Sequence, residues 1–393
     1  MKASLAIGQA KRRDPLQGRY DAVLAGAALG LAAIGVVMVA SSSIAIADGH
    51  GVAPFHYLTR HLVFLAMGTV GALVLMRVEL RLLERQAFVL LLACFALLTV
   101  VYVPGFGHSV NGSTRWVRLG VANFQVVEAV KLFLILYMSS YLVRHQAHLQ
   151  TRFVGMLKPV LLTGVMVALL LLQPDFGSAI LLLGIVIGMV WLGGARLRDL
   201  AAPALLLSPM LAWAALSESY RLRRLTSFLD PWSDPFRDGF QLTQALIAIG
   251  RGEWLGVGLG SSIQKLFYLP EAHTDFILAV LAEEFGLLGV LAVIALFALL
   301  TGRAFQLGLR AHEVGRTYAG YCAFGIALWL GLQALVSIGV NLGVLPTKGL
   351  TLPLISSGGS SVLMTCLAVG LLLRVSFEVD RAEFAKADRE GRA

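Results

Sequence analysis

A chain of 393 residues is long enough for two or three soluble domains, but 58% apolar and only 14% charged residues leave too little polar surface to cover them. The formal charge of +9 is not the footprint of a nucleic-acid binder, because no window interleaves clustered Lys and Arg with aromatics. Cys94, Cys322 and Cys366 all fall inside apolar runs, which excludes a disulfide framework or a thiolate zinc site as the organising principle.

Lys11-Arg12-Arg13, the apolar residues that follow and Ala45-Ile46-Ala47 imitate a secretory signal and its cleavage site. An apolar run of about 20 residues exceeds a signal core of roughly 7 to 15, so it reads as a first membrane span. Runs able to cross about 30 Å of hydrocarbon lie near 21–42, 58–76, 86–103, 124–143, 158–173, 176–193, 200–217, 275–302, 316–343 and 359–377. The pattern predicts an all-α, polytopic integral membrane protein of about ten transmembrane helices. Cations gather in the N-terminal tail, in the loops after even-numbered runs (Arg77, Arg81 and Arg85; Arg303, Arg310 and Arg316) and in the C-terminal tail. Cationic loops stay in the cytoplasm, which places both tails, 1–20 and 378–393, on that side of a membrane domain covering 21–377.

One long external segment, 218–274, separates the seventh and eighth runs. It carries the turn-rich Asp230-Pro231-Trp232-Ser233-Asp234-Pro235, then Leu242, Ala245, Leu246 and Ile249 at the spacing of a short helix at the interface. Gly250, Gly252, Gly256, Gly258 and Gly260 follow. No strand precedes them and no Walker Lys-Ser/Thr pair follows, so they read as tight-turn glycines and not as a nucleotide loop.

The eighth run opens with Leu269-Pro270-Glu271-Ala272-His273-Thr274-Asp275-Phe276. Asp275 is expected in the first turn of that helix at the water interface, with Ala279, Ala282 and Gly286 below it on one face, a strip able to line a cavity. A carboxylate there serves either chemistry or the helix dipole, and spacing alone leaves both open. Glu283 and Glu284 point away from that face and are expected to be structural. Glu128 and Lys131, three residues apart in the fourth run, are spaced as an ion pair, either packed or facing a polar cavity. Asp175 is expected to cap a hairpin between two runs. The outward cations Arg115, Arg118, Lys265, Lys348 and the Arg221-Arg223-Arg224 cluster are the pool from which a phosphate site would be drawn. Lys348 leads it, because its Pro- and Gly-rich surroundings predict irregular backbone, which near a membrane lines protein or water. The histidines show no metal-ligand spacing.

The chain resembles the SEDS family (shape, elongation, division and sporulation) in Asn111-Gly112-Ser113-Thr114-Arg115-Trp116, Gln173-Pro174-Asp175-Phe176-Gly177, Tyr268 to Phe276, and Pro346 to Ser361. The likeness spans nearly all ten runs, and Thr347-Lys348-Gly349-Leu350-Thr351-Leu352-Pro353 is similar to the family's cell-division branch. Two positions depart from the family pattern: Val126-Val127 ahead of Glu128, and Ser357 where Tyr is usual.

The resemblance implies a peptidoglycan glycosyltransferase of the bacterial inner membrane, at the division septum, acting on lipid II at the periplasmic face. It implies as partners the class B transpeptidase FtsI and the regulators FtsQ, FtsL and FtsB. The family's essential Asp matches Asp275, which becomes the expected general base. Lys348, Arg115, Arg224, Lys265 and Ser356 become the candidates for diphosphate or lipid II contact, and Glu128, Lys131 and Glu283 the structural or cavity candidates. The sequence requires no cofactor; a divalent cation is compatible with the chemistry, although no ligand cluster motivates one. The rival readings are a lipid II flippase or transporter, and a division scaffold without catalysis.

Overall fold

The computed structural model describes residues 18–49, 51–110, 113–119, 122–151, 153–196, 227–347 and 349–390, with isolated positions 199, 205 and 209. Helices α1 (Ala22–Gly49), α2 (His56–Leu75), α4 (Ala87–Val100), α5 (Val126–Thr151), α6 (Phe153–Leu172) and α7 (Phe176–Leu192) coincide with the first six expected spans. Helices α9 (Ile277–Glu313), α10 (Thr317–Asn341) and α11 (Gly359–Glu390) coincide with the last three, while the expected span at 200–217 lies almost wholly outside the described residues. Seven of these helices are long and apolar enough to cross a membrane, and α4 and α7 are shorter apolar helices. Val126 and Val127, where the family pattern differs, begin α5 and are buried. A one-and-a-half-turn α3 (Leu80–Arg85) joins α2 to α4, and the predicted interfacial helix is α8 (Phe240–Gly252).

The packing follows from the apolar faces: α11 lies along α2, α10 along α9, α4 along α5, and α8 and α1 both against α9. Polar groups close one end. Arg303 pairs with Asp21 at 2.7 Å, Arg310 with Glu383 at 2.6 Å, and the Arg19 amide donates to Asp380 at 2.7 Å. The start of α1 and the ends of α9 and α11 therefore share one end of the bundle, opposite the start of α9 where Asp275 sits. This is the same-side arrangement of the termini that the cation count requires. Helices α9 and α11 run past their expected ends at 302 and 377, because the ion-paired polar turns beyond the apolar stretch continue as helix.

Two features were not expected. The loop between the third and fourth spans folds as an antiparallel meander of β1 (Gly107–Val110), β2 (Ser113–Leu119) and β3 (Ala122–Gln125). Helix α9, at 37 residues, would be about 56 Å long if continuous, nearly twice the hydrocarbon thickness. It breaks at Gly286, whose φ of 65° and ψ of −163° suit only glycine.

The glycine-rich segment docks backbone to backbone on that break. Val257 N donates to Glu283 O at 2.9 Å, Gly258 N to Glu284 O at 3.1 Å, Leu287 N to Glu253 O at 2.9 Å and Leu288 N to Trp254 O at 3.2 Å. A Cβ on Gly286 would lie 2.4 Å from Gly256 N, and one on Gly256 2.2 Å from Glu284 O. These glycines thus permit close approach as well as turning. Contrary to the expectation, Ala279, Ala282 and Gly286 do not line the cavity that Asp275 enters, and this segment covers part of their strip: a Cβ on Gly252 would meet Ala282 O.

Candidate active site

The four quoted motifs converge at the end of the bundle opposite the tails. Three of them line a cavity of roughly 430 Å³ there, and the fourth, Gln173 to Gly177, holds the β2 wall through Ser113 and Arg115. Arg115 and Trp116 of β2 and Gln125 of β3 form one wall, Gln241 of α8 and the 270–276 turn another, and Thr347, Gly349, Thr351 and residues 357–361 the third. The only carboxylates among the described lining residues are Glu271 and Asp275, and the only cation is Arg115.

Asp275 is half-buried and precedes α9, which starts at Ile277; it is not in the first helical turn. Its backbone is held unusually firmly for a loop. His273 O accepts from Ser357 N at 2.9 Å, Thr274 O from Ser356 Oγ at 2.6 Å, and Asp275 O from Asn341 Nδ2 at 2.9 Å. Three successive carbonyls are thereby tied to α10 and to the segment before α11. A Cβ on Gly349 would stand 3.3 Å from Asp275 Oδ2, so glycine there leaves the carboxylate room at the cavity wall. Beside it, the Tyr57 ring packs on His273 with centroids 4.8 Å apart.

Arg115 reaches the cavity because β2 is anchored from below. Ser113 Oγ donates to Gln173 O, and Gln173 Nε2 donates to Leu98 O at 2.8 Å. Asp175 caps α7 as expected, accepting from Ser178 N at 3.2 Å and Ser178 Oγ at 2.9 Å, and it also pairs with Arg115 Nη1 at 3.5 Å. The Arg115 side chain is partly exposed at the cavity, where its guanidinium can meet a ligand, and its buried Nε has no hydrogen-bond partner among the described residues. Gln125 N donates to Ser360 Oγ at 2.9 Å, which joins the sheet to the start of α11.

The remaining candidates divide. Ser356 is not a lining residue; it is buried, donating to Thr274 O and accepting from Leu352 N at 2.8 Å, so it shapes the wall and touches no ligand. Lys265 is a correction. Its ammonium is buried against Glu284 at 2.6 Å and Ser41 Oγ at 2.8 Å and does not line the cavity, so it is not placed to meet a phosphate there. Arg118 is exposed and does not line the cavity. Lys348 and Arg224, with Arg221 and Arg223, lie outside the described residues, although Thr347 and Gly349 on either side of Lys348 both line the cavity.

Glu283 is structural: it accepts from Arg251 at 2.8 Å, from Ser262 Oγ, and from the amides of Ile263 at 3.0 Å and Gln264 at 3.3 Å, pinning the external segment to the α9 break. Glu128 and Lys131 form the expected pair at 2.9 Å and do not line the cavity. Lys131 Nζ also donates to Gln333 Oε1 at 2.7 Å, and Gln333 Nε2 donates to the lining Thr351 at its carbonyl, 2.9 Å away. The pair supports the cavity wall from one layer below. Glu271, Gln241, Gln333 and Asn341 were missed as site residues. Glu271 carried a signal, since it lies four residues before Asp275 on the same turn, and so did Gln333 and Asn341, as polar residues inside an apolar span.

No group of three or more His, Cys, Asp or Glu side chains that could hold a metal occurs among the described residues. What the cavity offers is one half-buried carboxylate, one partly exposed guanidinium, and a wall of hydroxyls. That set can take a proton from an alcohol and hold an anionic oxygen cluster.

A family model described as "Cell cycle protein", FtsW/RodA/SpoVE, matches residues 22–381. A probable peptidoglycan glycosyltransferase FtsW of Xanthomonas oryzae is 60% identical over 375 residues, covering 95% of this chain and 76% of that one. Its counterpart of the same name in Coxiella burnetii is 49% identical over 370 residues, covering 94% and 100%. Among solved structures, a chain of a peptidoglycan synthase complex that coordinates polymerization and crosslinking aligns with TM-score 0.73 at 31% identity, covering 92% of this chain and 98% of that one. The rod shape determining protein RodA of Thermus thermophilus aligns with TM-score 0.67 at 31% identity, covering 91% and 96%.

Proposed function

The chain belongs to the FtsW/RodA/SpoVE family of cell cycle proteins, and from that membership we propose that it is a peptidoglycan glycosyltransferase whose polymerising site is the Asp275 cavity. The substrate is lipid II, a disaccharide-pentapeptide carried on undecaprenyl diphosphate, and the product is β-1,4 glycan. A β bond made from an α-linked diphosphate donor inverts the anomeric carbon. The acceptor 4-hydroxyl must therefore attack from the face opposite the leaving group. Asp275 takes the hydroxyl proton as the C–O bond forms, a role worth about 10² to 10⁴ in rate. The bond from the anomeric carbon to the diphosphate oxygen breaks, and its electron pair leaves with the diphosphate. Arg115 stabilises that charge, with Lys348 as a second cation. The polyprenyl diphosphate itself supplies the driving force, so no nucleotide is used.

The observation that carries the reading is the convergence of Asp275 and Arg115 on one cavity from segments 160 residues apart. A membrane protein that works beside a crosslinking enzyme fits the complex whose chain it resembles, and FtsI, with FtsQ, FtsL and FtsB, is the expected partner set at the septum of the inner membrane. Purified with its transpeptidase partner, the protein should extend lipid II in detergent into glycan that a muramidase cleaves, which establishes the β-1,4 link. If reconstituted protein moves lipid II across vesicles and makes no glycan, the flippase reading replaces this one.

A further inference from the structure

Asn341 is the last residue of α10 and is fully buried, where an idle carboxamide would be costly. It is not idle. Its Oδ1 accepts from Ala279 N at 3.1 Å, and its Nδ2 donates to Asp275 O at 2.9 Å and to Ser337 O, one turn back on its own helix, at 2.9 Å. In an uninterrupted helix the Ala279 N–H would bond directly to the Asp275 carbonyl, four residues earlier. The carboxamide stands in that gap and satisfies both groups. Ala279 N is shared with Phe276 O, at 3.0 Å, and Phe276 keeps a non-helical φ of −108° and ψ of 20°. The insertion thus fixes where α9 begins: Asp275 is kept out of the helix.

We propose that Asn341 is a positioning residue for glycosyl transfer, which by inserting into the first turn of α9 sets the direction in which the Asp275 carboxylate enters the cavity. The proposal rests on the reading of Asp275 as general base. The bonds from Ser357 N and Ser356 Oγ hold the two residues before Asp275; the carboxamide alone bridges the peptide groups on either side of the helix start. Without it the Ala279 N–H closes on the Asp275 carbonyl, the helix gains residues at its start, and the carboxylate swings with the new backbone. Misplacement of a reacting group by about 1 Å costs on the order of 10² in rate.

The test compares Asn341→Leu, Asn341→Asp and Asp275→Asn in the full chain, purified with its transpeptidase partner and assayed with lipid II. Asn341→Leu keeps the branching at a larger volume and removes all three bonds; kcat should fall on the order of 10²-fold with KM nearly unchanged. Asn341→Asp introduces a carboxyl that, while neutral, can still accept from Ala279 N and donate its single O–H to Asp275 O, giving up the bond to Ser337 O, and that loses the donor to Asp275 O when ionised. Relative to wild type measured at each pH, its activity should be highest at mildly acidic pH and decline toward alkaline pH. A role confined to packing would give no such pH dependence.

A wild-type rate for Asn341→Leu, or a change in KM alone, overturns the proposal. Should that variant fail to fold, the Asn341→Asp profile decides, and a profile parallel to wild type overturns it equally. Asp275→Asn separates the two claims: if it polymerises normally the base reading falls, whereas an inactive Asp275→Asn beside a fully active Asn341→Leu removes only the positioning role.

Discussion

Gly286→Ala and Gly250→Ala make a matched pair that tests how the external segment is joined to the broken helix. Both add one methyl group. At Gly250, in α8, an added Cβ meets nothing within 4 Å, and the residue is helical, so Ala there should stabilise by about 0.5–1 kcal/mol. At Gly286 the same Cβ would lie 2.4 Å from Gly256 N, 2.5 Å from Trp254 C and 2.6 Å from Leu255 N, all backbone atoms without a rotamer to yield. The φ of 65° with ψ of −163° adds about 1–3 kcal/mol of strain for a residue with a side chain.

Relief requires the segment to lift, which weakens the four backbone bonds across the break, each worth about 1 kcal/mol net. The sum is up to roughly 5–7 kcal/mol, and at about 1–2 °C per kcal/mol for a chain of this size the melting temperature should fall by about 5–14 °C. Thermal denaturation of the detergent-purified variants reads this directly. Equal melting temperatures for the two variants would refute the backbone-on-backbone account of the break.

Removing one partner of the buried pair should be worse than removing both. Lys131→Met leaves Glu128 charged and alone and costs about 3–5 kcal/mol, while Glu128→Gln with Lys131→Met recovers much of that loss in the same melting assay. Arg115→Ala should lower kcat for lipid II polymerisation by on the order of 10²-fold, as loss of one donor to a departing anion does, with little change in melting temperature because Asp175 keeps its Ser178 cap.

Much of this architecture was legible in the sequence because its signals are local. Nine of the ten expected spans meet helices, since a run of apolar residues is a signal carried by neighbouring positions alone. Glu128 and Lys131 are spaced three apart, so helical geometry alone foretold their contact, and Asp175 is expected only as a cap, a role it fills through Ser178. Lys265 was misjudged for the opposite reason. Its partners, Ser41 and Glu284, come from α1 and from the α9 break, and nothing near position 265 announces that its ammonium turns inward.

The break at Gly286 was hidden because helical periodicity continues on both sides of it, and only the docking of residues 253–258 gives the glycine its reason. Asn341 was passed over likewise: its meaning depends on a helix start 62 residues earlier in the chain. The sheet was hidden because Ser113-Thr114-Arg115-Trp116-Val117-Arg118-Leu119 shows no apolar and polar alternation to mark a strand.

The central claim is that one carboxylate, Asp275, performs proton transfer in this cavity. It is tested most directly by the single-turnover rate of glycan formation for wild type and Asp275→Asn, measured on complexes matched for folding and for transpeptidase binding. The account predicts a rate at least about 10²-fold lower for Asp275→Asn with the lipid II affinity retained. Equal rates for the two proteins would contradict it.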